Sequence, residues 1–353
     1  VPNGPTNREQ QSPTQEQWIR LYELAAQVKE MAPWEWMMED QVFGVQHPDT
    51  GELGFVSVMG NLGEHLAIAL YLGAEGLYGL FTMEECEEED IAWVLYTIPQ
   101  LQLSFGNRDC VDTRERKLMD ALNLKFRGRQ SWPKFRSFQP GCLPWYLEAS
   151  EAGFLLVALE QLLDVAPRLL HDDGFLEMED EETFLVRVGS HQNGDVLWED
   201  REMRVAPPEI VLRALWDSEL LNKLAALPRV GNRLEVDFFL MPTPIQESQA
   251  LRPYLPHCLF IVEQESGLIM GQDMLDPFPS LNNMREKAPL RFADILVRLE
   301  VLPEVLYVRA GWFADFLAAL FRDVPCNVIP SKRLRSLDTA KEEFIGFLSG
   351  GSF

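Results

Sequence analysis

Cysteine is scarce in this sequence, and what there is does not cluster. The five cysteines, Cys86, Cys110, Cys142, Cys258 and Cys326, are odd in number and widely spaced. No pair has CxxC spacing, which argues against a zinc ribbon and a thioredoxin-type motif. Scattered thiols fit a reducing cytoplasm, and Cys258 and Cys326 read as small hydrophobes inside strands. Histidine is equally sparse, with five residues and no His-Glu-x-x-His helix. No metal site and no cofactor is expected. Bases are short too: 31 Lys and Arg face 55 Asp and Glu, a formal charge of -24. That surplus favours solubility and opposes general affinity for polyanions. No apolar run approaches the ~20 residues a membrane helix needs. No charged-then-apolar leader ending in a small-residue cleavage site is seen either, so a cytoplasmic protein away from the membrane is expected.

Enzyme signatures are also missing. There is no Gly-x-Ser-x-Gly elbow and no Walker loop. Gly60 and Gly63 hint at a phosphate loop, but a third glycine is lacking and Leu66, Ile68 and Leu70 alternate as in a strand. A hairpin turn is the better reading. No catalytic residue is assigned, and the sequence leans away from an enzyme.

What is present suits a globular protein. Hydrophobic residues make up 46% and charged residues 24% of 353 positions, enough for about two domains. The fold class expected is α+β. Residues 1–13 read as a flexible tail, rich in proline and polar residues. An N-terminal α+β domain is expected over 14–170. Its first helix has Ser12 as N-cap, Pro13 as first helical residue and Gln15 at capping-box spacing; Trp18, Leu21, Tyr22, Ala25 and Val28 make its apolar face. Strands at 41–46, 53–59 and 66–70 form a β-meander, followed by a short helix near 74–81. Six acids crowd Glu84–Asp90, which suits the start of a helix better than a calcium loop. Helices follow at 114–122 and 147–163.

Residues 171–182 hold seven acids and are expected to be an acidic linker. A C-terminal α/β domain with a mixed sheet is expected over 183–353. It begins with strands at 183–189 and 196–205 and a helix near 212–227. Strands at 233–241, 257–263 and 268–275, a helix at 291–299, a strand at 304–309, a helix over 312–321, a strand at 326–329 and a last helix complete it. From Arg233 onward this order is similar to that of ribonuclease-H-like domains. There, carboxylates on the first and fourth strands hold metal ions for phosphoryl chemistry. Asp237 lies in the first strand, but the fourth ends in Arg309 where an acid is wanted, and Asp315 falls in the following helix. The metal set is incomplete, and the alternative function is a working or degenerate enzyme of that fold acting on phosphate-containing substrates.

One charge feature stands out. Arg114 to Arg136 carries eight bases against two acids, +6 in a chain of -24. Phe126, Trp132, Phe135 and Phe138 lie among them. Guanidinium forks grip phosphates and aromatic faces stack on rings, so Lys125, Arg127, Arg129, Trp132, Lys134 and Arg136 are the candidate contacts for an anionic ligand or a protein partner. The competing reading is internal: the bases neutralise the acidic runs at 84–90 and 172–182, and the aromatics fill the core with Trp132-Pro133 as a packed loop. Nucleic acid ranks last, because the remaining acid repels a long polyanion.

Several short motifs resemble a bacterial family built of two adjoining domains of unknown function. They are Pro33-Trp34, Phe55-Val56-Ser57-Val58-Met59-Gly60 with Gly63-Glu64-His65, Tyr71-Leu72-Gly73, Glu75-Gly76-Leu77, Lys125-Phe126-Arg127-Gly128-Arg129, Trp132-Pro133 with Phe135-Arg136-Ser137, Pro144-Trp145, Arg252-Pro253-Tyr254 and Glu265-Ser266-Gly267. The resemblance covers nearly the whole chain after residue 14. It implies a bacterial cytoplasmic protein and brings no activity, cofactor or catalytic residue. The function expected is therefore binding or interaction, through the basic-aromatic segment.

Overall fold

A computed structural model describes residues 11–63, 65–85, 94–209, 211–213 and 215–350. The described residues divide into two compact units, one of 11–139 with 144–209 and one of 140–143 with 211–350. Most of the acidic stretch expected to open a helix at 84–90 lies outside the described residues.

In the N-terminal unit, helix α1 (Gln15–Met31) begins two residues later than Ser12 and Pro13 suggest. Thr14 is the cap: its Oγ1 accepts from the Gln17 N–H at 3.2 Å, and Gln17 Oε1 accepts from the Thr14 N–H at 2.9 Å. Thr14 and Gln17 thus form the capping box. The helix ends where Ala32 turns left-handed before Pro33. Strands β1 (Phe43–Gln46), β2 (Leu53–Met59) and β3 (Leu66–Leu72) form the expected meander, and α2 (Gly73–Glu85) follows. The sheet continues through β4 (Gln100–Gly106) to β5 (Trp132–Phe138) at its edge. Between these strands lies α3 (Thr113–Ala121), and after β5 comes the long helix α4 (Ala149–Leu169).

The hairpin of β6 (Thr183–Gln192) and β7 (Asp195–Arg204) does not open the second sheet, as the acidic stretch before it led one to expect. It joins the first, where Gly44, Val45 and Gln46 of β1 run parallel to Val186, Arg187 and Val188 of β6. The sheet order is β5-β4-β3-β2-β1-β6-β7. Gly44 permits this pairing, since a Cβ there would come 2.6 Å from Val186 Cγ2. Acid content alone cannot say which sheet a later strand joins; the apolar run Phe184, Leu185, Val186 and Val188 is buried here.

One face of this sheet is buried under α1 and α4 around Leu21, Phe43, Ile68, Leu103 and Leu159. The other face meets α2 through Phe55, Tyr71, Leu77 and Leu80. Gln100 of β4 is fully buried, yet neither its amide oxygen nor its amide nitrogen has a partner among the described residues. A buried unpaired amide costs free energy that an apolar isostere avoids. Gln100→Leu is expected to raise the unfolding free energy by about 1–2 kcal/mol in urea denaturation; a fall would mean that the amide is satisfied in solution.

In the C-terminal unit, α5 (Ser218–Ala225) precedes β8 (Arg229–Leu240), β9 (His257–Glu263) and β10 (Ile269–Leu275). Helix α6 (Leu281–Leu299), strand β11 (Leu302–Arg309), helix α7 (Trp312–Leu320), strand β12 (Asn327–Ser331) and helix α8 (Arg335–Gly350) follow. The strands lie in the order β10-β9-β8-β11-β12. β8, β9 and β10 are antiparallel, and β11 runs parallel to both β8 and β12. The mixed sheet is thus as expected, and the whole is α+β. Helices α6 and α7 bury Phe292, Leu296, Phe313 and Leu317 against one face. Leu334, Leu337 and Phe344, just before and within α8, pack near Phe239 and Phe260 on the other. Among the described residues, no helix is long and apolar enough to cross a membrane.

Candidate functional site

The basic segment splits between two surroundings. Arg136 is taken up inside the N-terminal unit. Its Nη1 donates to Glu115 Oε1 at 2.5 Å and to the Phe135 carbonyl at 2.7 Å, and its Nη2 lies 3.8 Å from Asp112 Oδ2. Glu115 is buried, and it closes a capping box with Asp112 at the start of α3. The Tyr146 hydroxyl donates to Asp112, and its ring lies beneath the guanidinium groups of Arg114 and Arg136. Arg136 is therefore a structural cation, held by Glu115 and Asp112 and not by the acidic runs that the internal reading named. Its acids come from α3 and its cap.

The other bases are placed differently. After α3 the chain makes a tight exit: the Asn123 N–H donates to the Asp120 carbonyl at 3.0 Å and the Leu124 N–H to the Met119 carbonyl at 2.9 Å. Asn123 takes a left-handed φ of 57°. Phe126 then anchors the loop inward, its ring 5.9 Å from Tyr22 and 5.8 Å from Trp132. Its neighbours Lys125 and Arg127 remain exposed. Gly128 turns at a φ of 104°, where a side chain is strained. Gln130 ties the loop down, donating from its N–H to Asn107 Oδ1 at 3.1 Å and from Nε2 to the Gly63 carbonyl at 3.1 Å.

These elements surround a cleft of about 220 Å³ lined by Arg108, Arg116, Met119, Asp120, Leu124, Lys125, Phe126, Arg127 and Trp132. Arg116 is braced by the Asp112 carbonyl and Thr113 Oγ1, each at 3.3 Å. Arg108, Lys125 and Arg127 have no acidic partner within 4.0 Å among the described residues, and Asp120 is the one acid on the wall. The cleft therefore joins Lys125, Arg127 and Trp132 of the candidate contacts. Arg129, Lys134 and Arg136 do not line it. Arg108 and Arg116 complete the set. Arg116 lies in the basic segment, but Arg108 precedes it and reaches the cleft through the β4–β5 register, which sets Gly106 opposite Trp132.

The second arrangement is in the C-terminal unit. The Asp237 carboxylate on β8 is almost fully buried, with Oδ2 3.2 Å from Arg309 Nε and 3.6 Å from Lys341 Nζ. Arg309 also bonds Asp338 and donates to the Lys332 carbonyl at 2.9 Å. Lys341 lies 3.7 Å over the Phe239 ring. Glu235, also buried, accepts from the Leu337 N–H at 2.8 Å and from Gln264 Nε2 at 3.3 Å. Two cations thus lie against the Asp237 carboxylate. Among the described residues, no three of His, Cys, Asp and Glu are grouped to hold a metal ion. Asp315 is exposed on α7. Burial pushes the Cys142 thiol up to about 11 and that of Cys258 to about 12, so both stay protonated near neutrality.

Residues 18–187 match the model of a domain of unknown function (DUF7309). Residues 220–345 match that of a second domain of unknown function (DUF6930). A search of curated proteins found no match.

Proposed function

We propose that this chain, which carries two adjoining domains of unknown function, is a cytoplasmic binding protein without catalytic activity, and that its cleft beside α3 takes an anionic ligand. One observation carries the reading. Arg108, Lys125 and Arg127 stand around a concave, aromatic-walled space without acidic partners among the described residues, in a chain whose net charge is -24. Unpaired bases are easily neutralised in so acidic a protein, so their clustering without partners favours an anion from outside. Arginine forks suit phosphate oxygens.

The test is calorimetric titration of the chain with inorganic pyrophosphate at about 50 and 200 mM salt. Binding is expected at the lower salt and weakening at the higher, as screening shortens the reach of the charges. Lys125→Glu/Arg127→Glu is expected to weaken it more than tenfold. Absence of binding at 50 mM salt would refute the reading. Tight binding of an oligonucleotide with a steep salt slope would replace it with nucleic-acid binding.

A second reading has its own support. The C-terminal unit has three antiparallel strands, then helix, parallel strand, helix and parallel strand, the order that resembles ribonuclease-H-like domains. Arg309 and Lys341 against Asp237 favour the degenerate form of that alternative over a metal-dependent enzyme.

A further inference from the structure

We infer that the ligand of the cleft is a nucleoside diphosphate, a small diphosphate carrying a planar ring; this rests on the anion-binding reading above. Charge gives the first constraint. Arg108, Arg116, Lys125 and Arg127 oppose Asp120, so the wall is positive by three charges. A terminal phosphate carries about -1.5 to -2 near neutrality, and a diphosphate about -3 in all by the same chemistry. A single phosphate leaves bases uncompensated, whereas a long polyanion meets the repulsion of the remaining acid.

Size gives the second constraint. A cleft of about 220 Å³ lies below the ~300–1,000 Å³ of pockets that enclose a drug-sized ligand. It holds the phosphates and leaves the rest of the ligand at the rim. The third constraint is the aromatic part of the lining. Trp132 is half-buried, and its ring is tilted 55° from Phe126 at 5.8 Å. Phe126 is held from behind by Tyr22, so the aromatic wall is braced before any ligand arrives. Stacking on such a wall tolerates any base, because every base has a π face. The flexible point charge of Lys125 and the forks of Arg108, Arg116 and Arg127 then divide the phosphate oxygens.

The experiment titrates the full chain with ADP, GDP, CDP, UDP and inorganic pyrophosphate. At least one nucleoside diphosphate is expected to bind about tenfold more tightly than pyrophosphate. Trp132→Leu is expected to remove that advantage, so that no nucleoside diphosphate binds more tightly than pyrophosphate, while Arg127→Glu weakens both. Trp132→Phe keeps an aromatic face in the lining. It is expected to retain the advantage while losing the tryptophan quenching that the nucleotide causes in the parent chain, and so tests the site even where Trp132→Leu fails to fold. If pyrophosphate binds and none of the four nucleotides binds more tightly, the inference is wrong and the anion site stands. If neither pyrophosphate nor a nucleotide binds, both fall. Quenching that persists in Trp132→Phe also overturns the inference, since the ring then lies elsewhere.

Discussion

Arg136→Met is expected to destabilise the N-terminal unit by about 3–5 kcal/mol, whereas Arg127→Met changes it by less than about 1 kcal/mol. Both substitutions remove one arginine from the same basic segment. They differ in what is left behind. Without Arg136, the buried Glu115 carboxylate loses its 2.5 Å partner and Asp112 loses the cation 3.8 Å from its Oδ2. These acids form the cap of α3, so the helix start is weakened with them. Arg127 is exposed and has no acidic partner among the described residues, so no buried charge is stranded by its loss. Urea denaturation of the two variants beside the parent chain measures the difference directly. Equal losses would mean that the segment acts as one electrostatic unit. A double replacement, Glu115→Leu/Arg136→Met, is expected to recover much of the loss, because no unpaired charge then remains inside.

His257 is expected to make the chain acid-sensitive in the window from about pH 6.5 down to pH 4. The ring begins β9 and stacks on Phe238 at 5.3 Å, and its Nδ1 has no partner among the described residues. Burial, and then the charge of Arg285, lower its pKa from the ordinary 6.5 to about 4. The folded chain therefore binds this proton less readily than the unfolded chain. The stabilising effect is complete above about pH 6.5 and is lost as the pH falls toward the folded value, at a cost of about 3 kcal/mol. Carboxylates titrate in the same range, so the contribution is read by difference. Unfolding free energies at pH 7, 5.5 and 4 are expected to fall more steeply for the parent than for His257→Phe, by about 2–3 kcal/mol over the window. Parallel curves would remove His257 as the cause.

The sequence was most legible where neighbouring residues decide the structure. Apolar periodicity located α1, α4 and the strands from Arg233 onward, because burial and local period coincide there. Strand β5 was hidden by Pro133, which reads as a loop. It is tolerated because β5 is an edge strand, and the apolar residues Pro133 and Phe135 still alternate inward. Thr14 was passed over as a cap because Ser12-Pro13 offers the same chemistry two residues earlier. The candidate cleft was legible only in part. Lys125, Arg127 and Trp132 belong to one charged stretch, but Arg108 arrives through strand register, and register is a long-range property. The same stretch gave no sign that Arg136 faces Glu115 while Arg127 faces solvent.

The parallel contact of β1 with β6 has a consequence for how the chain comes off the ribosome. Gly44 waits for Val186, about 140 residues later, before its open edge is covered. Such distant pairing slows folding, and an uncovered strand edge invites pairing with another nascent chain. The hairpin that closes the edge also carries its own guard. Its outer strand presents Asp195, Glu199, Asp200, Arg201, Glu202 and Arg204, so the sheet that was vulnerable during synthesis ends in a charged border that discourages a further strand. Chains that stall before β6 are emitted without that border and are the ones expected to aggregate.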